Sequence, residues 1–349
     1  MPVQEIASPI NFSLLFIFKL LPILNVRCMN ATSCLPFLMA LRLSLVASPS
    51  LAQQPVAVLG DRFLIPESIT WNQQTKEFYI SSINRQKIVA IRKGGEGRDF
   101  IQSGQDGFLQ GLGLHLDMKH HVLWAVSNRT TGHLHTSGIW MYDPQSARLL
   151  KKWVWSDTAA LLLNDLAITR QGNIYVTDSE GSKVYYLKQS MDHPRLLLTM
   201  PKGDYPNGIT LSDDDRYLFI ATYMHGIVCY DRRKRRHWTL QAPKETSTNG
   251  MDGLFFYHNT LIGVDNNSDK PADHKITQFY LSDDWKTIAR SKVIDEHNPY
   301  FDIPTSAVIA GDSLFVLANS QLEHLDQQNN TLKDTSVLKK TYILGYKLD

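Results

Sequence analysis

The stretch Pro206-Asn207-Gly208-Ile209-Thr210-Leu211-Ser212-Asp213-Asp214-Asp215-Arg216-Tyr217-Leu218-Phe219-Ile220 decides the fold. It opens on an oxygen-bearing side chain, passes a small residue, and then alternates apolar residues with others. A turn of serine and aspartate follows, then a second apolar run. Alternation with a period of two marks strands, and Ser212 to Asp215 supplies the turn between them. The pattern recurs outward in both directions. Glu67-Ser68-Ile69-Thr70-Trp71 precedes Phe78-Tyr79-Ile80, and Asn164-Asp165-Leu166-Ala167-Ile168 precedes Ile174-Tyr175-Val176. Asp252-Gly253-Leu254-Phe255-Phe256 precedes Leu261-Ile262-Gly263-Val264. Two looser copies start at Gln110 and Thr305. A third apolar run often follows, as in Lys87 to Ile91, Gly138 to Tyr142, Lys183 to Leu187 and Gly226 to Tyr230.

Six strand-rich units, roughly 45–50 residues apart, predict an all-β fold, a six-bladed β-propeller. The first strand of each blade would line a central channel. The sixth unit runs out after its third strand, Tyr342 to Leu348, while Pro55 to Gly60 has no partner downstream. This N-terminal strand is predicted to complete the last blade and close the ring, pairing edges that would otherwise be exposed. Length alone, 349 residues, suggests about two domains. The repeat reduces residues 53–349 to one.

Residues 1–52 read as a targeting segment. Phe12 to Leu24 and Leu35 to Ala47 are apolar but interrupted, and each falls short of the roughly 20 residues that span a bilayer. Ser50 and Ala52, followed by Gln53, fit a signal-peptidase site after Ala52. The expectation is export to the periplasm or the medium, with no membrane span after processing. An uncleaved anchor, a core helix and a start at Met29 or Met39 remain alternatives, because Glu5 and the lack of a basic residue near Met1 are poor leader features.

The 36 Lys and Arg against 34 Asp and Glu give a net charge of +2, which argues against a nucleic-acid partner. With 43% apolar and 20% charged residues the chain is globular in composition. Only Cys229 of the three cysteines follows Ala52, which excludes a disulfide-stapled fold and a cysteine zinc site. On its strand Cys229 is expected to pack rather than react. Arg232 to Arg236, between the third and fourth strands of blade four, reads as a solvated hairpin.

The first position of each copy begins an innermost strand, so Glu67, Gln110, Asn164, Asn207, Asp252 and Thr305 should converge on the axis. Two carboxylates and neutral amides form a hard-ligand set for one divalent cation, Ca2+ first, with Mg2+, Mn2+ or Zn2+ as alternatives. A polar lining for a water-filled channel is the plainer reading of the same residues.

Pro66-Glu67-Ser68, Asn164-Asp165, Pro206-Asn207-Gly208-Ile209 and Met251-Asp252-Gly253-Leu254 resemble the signatures of the senescence-marker-protein/gluconolactonase family, which includes regucalcin. That family is similar in architecture to paraoxonases and strictosidine-synthase-like proteins. The resemblance runs from about Phe63 to Leu348. It implies a six-bladed propeller with one catalytic divalent metal in the channel, and hydrolysis of a lactone or related ester. Glu67, Asn207 and Asp252 match the family's metal ligands, and Asn164 matches a position that binds metal in some members and substrate in others. The resemblance also makes Asp252 the candidate general base, with hydroxide on the metal as the competing nucleophile. The family's second-blade substrate residues find no match, so its substrates do not transfer.

Candidate substrate contacts are Asn164, Gln110 and Thr305 in the ring, Asn128 and Asp265 at the ends of second strands, and His133 in a blade-two loop with His135. Asp178 and Asn266 stand in similar places, and His115 reads as structural. No Gly-x-Ser-x-Gly elbow is present. Two readings compete with the hydrolase. One is a non-catalytic propeller that binds a ligand or protein through its loops. The other is a quinone-dependent oxidoreductase, for which the expected cationic contacts find no place. The oligomeric state is left open.

Overall fold

The computed structural model describes residues 53–349 apart from Asp269 and Gln328, and the predicted leader lies outside the described residues. Six four-stranded antiparallel sheets follow one another in chain order. Blade one holds Pro66–Asn72, Glu77–Ser82, Lys87–Arg92 and Arg98–Ile101. The innermost strands of blades two to six are Gln110–Asp117, Leu163–Ile168, Pro206–Leu211, Met251–Tyr257 and Ala307–Ala310. The described residues contain no α-helix and three short 3-10 turns.

The ring closes as the sequence predicts. Ala57–Leu59 pairs antiparallel with Thr341–Lys347 and becomes the outer strand of blade six. Ala57 and Leu59 face the core and Val58 faces water, the alternation expected of an edge strand with one buried face. This pairing covers an edge that would otherwise be open.

Aromatic and branched side chains of the strands fill the spaces between neighbouring blades. Phe219, Cys229, Met251 and Phe279 pack blade four on blade five, and Trp124, Trp153, Leu163 and Val176 pack blade two on blade three. Hydroxyls also stitch the inner strands together. Ser68 and Thr70 accept hydrogen bonds from the backbone of Leu114 and Leu116 in the next blade, and Thr210 does the same for Phe256.

One segment departs from the hairpin pattern. In blade six, residues 318–340 separate the second strand from the third. Buried amides clamp the base of this excursion. Asn319 bonds the backbone of Lys340 and Tyr342, and Gln321 bonds Lys339 through both ends of its amide. Further out, Leu325 and Leu338 bury among Ile65, Leu112, Leu161 and Leu163, so the segment reaches from blade six across to blades one, two and three.

Candidate active site on the propeller axis

A shared irregularity builds the site. In blades one to five the ladder between first and second strands shifts register near its start, between Pro66 and Ile69, Gly111 and Leu114, Leu163 and Leu166, Pro206 and Ile209, and Met251 and Leu254. A bulge re-aims the residues it contains. The first bulged residues are therefore Glu67, Leu112, Asn164, Asn207 and Asp252. Thr305 takes the matching place in blade six, and all but Leu112 line one small pocket on the axis.

This corrects the sequence reading in blade two. Gln110 lies above the bulge, and Leu112 fills its place in the ring. The Gln110 amide instead donates to Asn330 Oδ1 at 3.0 Å and to the Gln327 carbonyl at 3.3 Å, tying down the blade-six segment.

The second bulged residue is small in most blades, and the reason is steric. A Cβ on Gly113 would lie 2.6 Å from the Asn164 carbonyl, and one on Gly208 would lie 2.5 Å from the Asp252 carbonyl. Blade three breaks the rule with Asp165, which the sequence reading did not single out as a site residue. Its carboxylate accepts from the backbone of Leu166 at 2.8 Å and Ile209 at 3.2 Å. The signal was present in the repeat, where this position is otherwise serine or glycine. Asp165 borders both the ring pocket and a wider part of the channel, about 650 Å³. His115 faces that wider part, and burial lowers its pKa.

Three carboxylates thus share one neighbourhood. Burial, then Asp252, then Asp165 hold Glu67 well above the ordinary carboxylate range. Burial pushes Asp252 up to about 7, although hydrogen bonds from Asn266 and Asn207 pull the other way. Burial also raises Asp165 to about 7. Among the described residues none of the three forms an ion pair with a Lys or Arg, and Glu67 Oε2 is buried without a hydrogen-bond partner. Concentrated negative charge with an orphaned oxygen fits a cation. Among the described residues no three His, Cys, Asp or Glu side chains form a metal-holding group. The amide oxygens of Asn164 and Asn207 would have to complete the set with Glu67 and Asp252.

The ends of second strands surround this ring. Asn164 Nδ2 donates to Ser179 Oγ at 3.0 Å, and Asn266 Nδ2 donates to Asp252 Oδ2 at 2.5 Å. The Ser320 hydroxyl bears on Glu67 and opposes the rise in its pKa. Tyr223 stands beside Asp252 and Glu67, and burial and those charges hold its pKa well above the usual value.

The remaining expected contacts fall as follows. Thr305 donates its hydroxyl to the Glu67 carbonyl at 2.7 Å and so stitches blade six to blade one. Asn128 is buried with its amide committed to both backbone groups of Leu163, at 2.7 and 2.9 Å, and to Ser137. Its strand runs on to Thr131, beyond the level of the ring, and His133 is exposed in the turn of that long hairpin. His135 belongs to the following strand, not to the loop. Asp265 ends its strand near the channel mouth, 3.8 Å from Lys275, and its charge acts on Tyr223. Asp178 is buried and caps the backbone of Leu162 and Gly181. Arg232 to Arg235 turn between two strands of blade four, where Arg232 bonds the Tyr175 hydroxyl. Cys229 is buried, and burial raises its thiol pKa.

No family model matches the sequence, and no curated protein matches it. Solved structures do resemble the fold. A gluconolactonase from Xanthomonas campestris matches with a TM-score of 0.53 at 14% identity, over 77% of this chain and 85% of that one. Virginiamycin B lyase from Staphylococcus aureus matches with a TM-score of 0.52 at 16% identity, over 74% and 79%. The PQQ-bound form of an aldose sugar dehydrogenase from Streptomyces coelicolor matches with a TM-score of 0.54 at 12% identity, over 85% and 97%. At these identities the likeness is one of fold, and the three named chemistries differ, so the argument for function rests on the site.

Proposed function

We propose that this protein is a hydrolase that opens a lactone or a related ester, with one divalent cation held on the propeller axis. One observation carries the reading: Glu67 is buried with an unpartnered oxygen, close to Asp252 and Asp165, and among the described residues no cationic side chain pairs with any of the three. Glu67, Asn164, Asn207 and Asp252 would hold the cation, Ca2+ first by the hardness of the oxygen set. When bound, it would supply Lewis-acid polarisation of the ester carbonyl.

The chain's own residues account for the rest. Asp252 accepts a proton from the attacking water as the water oxygen bonds to the carbonyl carbon. The acyl C–O bond then breaks, and the same proton passes to the departing alkoxide, leaving a hydroxy acid. Without a cation, burial raises Asp252, and beside a bound dication it would return toward the ionised form that can take a proton. Asn164 and Asn207 would contribute oxygens without charge, so a cation held there would stay electrophilic. A gluconolactonase shares this fold, as do a lyase and a dehydrogenase, so the reaction class rests on the ring residues. With residues 1–52 as a leader, the enzyme would act outside the cytoplasm.

The test is a hydrolysis screen over sugar lactones, aliphatic lactones and aryl esters, with and without chelator. Turnover that chelator removes and Ca2+ restores is expected, and Asp252→Asn should lower kcat by at least about 100-fold. Full activity in that variant would remove Asp252 from the mechanism. Retained cation binding with no turnover on any substrate would favour a ligand-binding propeller.

A further inference from the structure

Asn266 directly follows the second strand of blade five and is buried. Its amide is fully engaged. Nδ2 donates to Asp252 Oδ2 at 2.5 Å and to the Pro304 carbonyl at 3.0 Å, and Oδ1 accepts from the Tyr223 hydroxyl at 3.1 Å. The network determines which way the amide points. Reversed, its oxygen would face a carboxylate and a carbonyl, both acceptors. Tyr223 comes from blade four, Asn266 and Asp252 from blade five, and Pro304 from the approach to blade six, so the bonds tie three blades together at the ring.

We propose that Asn266 and Tyr223 are positioning residues for Asp252. Asn266 occupies Oδ2 and fixes the rotation of the carboxylate toward the axis. Tyr223 acts one step further out, by orienting the Asn266 amide. The catalytic side of this proposal rests on the hydrolase reading, whereas the geometric side does not. Partners that orient a ligating group from outside typically carry 10–100-fold in metal affinity or activity.

A double-mutant cycle tests the pair. Asn266→Ala should lower kcat by about 10–100-fold with KM changed by less than about twofold. Tyr223→Phe, which deletes one hydroxyl, should lower kcat by about 2–10-fold. Tyr223 acts mainly through Asn266 and also bears on Asn207. Adding Tyr223→Phe to Asn266→Ala should therefore cost clearly less than Tyr223→Phe does in the wild type, whereas fully multiplied losses would overturn the proposal. Asn266→Asp keeps the shape and removes the N–H donors. It should lose at least as much as alanine, and wild-type rates would show that shape alone matters.

Two readouts stand apart from turnover. By calorimetry on chelator-stripped protein, Asn266→Ala should weaken Ca2+ binding by about 10–100-fold, and unchanged affinity counts against the proposal. A crystal structure of Asn266→Ala should show the Asp252 carboxylate rotated, and an unmoved carboxylate overturns the proposal. If the wild type hydrolyses nothing, the hydrolase reading fails while these two measurements still decide the positioning.

Discussion

Asp165 stands where the other blades place serine or glycine, and its consequences are electrostatic. Asp165 and Asp252 are both raised to about 7, against roughly 4 in an unfolded chain. The folded protein therefore binds more protons than the unfolded one between about pH 4 and 7. Stability is fully present below the unfolded value and is lost as pH rises through the folded one. Chelator-stripped protein should melt several degrees lower at pH 8 than at pH 5, and added Ca2+ should narrow the gap. Asp165→Asn removes the charge but keeps one acceptor oxygen, so it can hold the Leu166 bond or the Ile209 bond and not both. It should lower stability at every pH, flatten this pH dependence and weaken Ca2+ binding. Thermal melts across pH with and without chelator check both statements. An equally steep pH dependence in the variant would show that Asp165 does not contribute to it.

The strands themselves were legible, because period-two alternation and turn residues repeat along the chain. Ala57–Leu59 shows this best: an apolar run without a downstream partner matched a blade without a last strand. Leu59 is buried, and Leu59→Ala should destabilise the fold by about 2–5 kcal/mol, read by denaturant unfolding. A loss below 0.5 kcal/mol, an order-of-magnitude bound for surface changes, would mean the closing strand adds little.

The register at the ring was harder to read. Five of its residues follow from taking the oxygen-bearing start of each copy. In blade two that rule selects Gln110, two positions early, because the residue at the bulge is Leu112 and carries no oxygen. The outer support was not legible either. Ser179, Tyr223 and Ser320 sit past the ends of second strands, where no periodicity marks them and only the folded ring brings them to their partners. Asn266 stands among the candidate substrate contacts, but its bond to Asp252 has no signal in the sequence. Asn128 and Thr305 carry the right atoms, but backbone groups of neighbouring blades take those atoms up.

At the scale of the whole molecule, closure and chemistry share one axis. Each ring residue comes from a different blade, so their oxygens converge only if the sheets close into a ring. That closure brings together carboxylates which an open chain would keep apart, and the proposed divalent cation would offset their repulsion. The blade-six segment is held by Gln110 and by leucines buried against blades one to three, and so ties the last blade to the first three. The most direct test of the central claim is a calorimetric titration of Ca2+ into chelator-stripped protein, run beside Glu67→Gln. The account predicts one site per chain in the wild type and an affinity at least about tenfold weaker in the variant. No binding to the wild type, or equal binding to both, would contradict it.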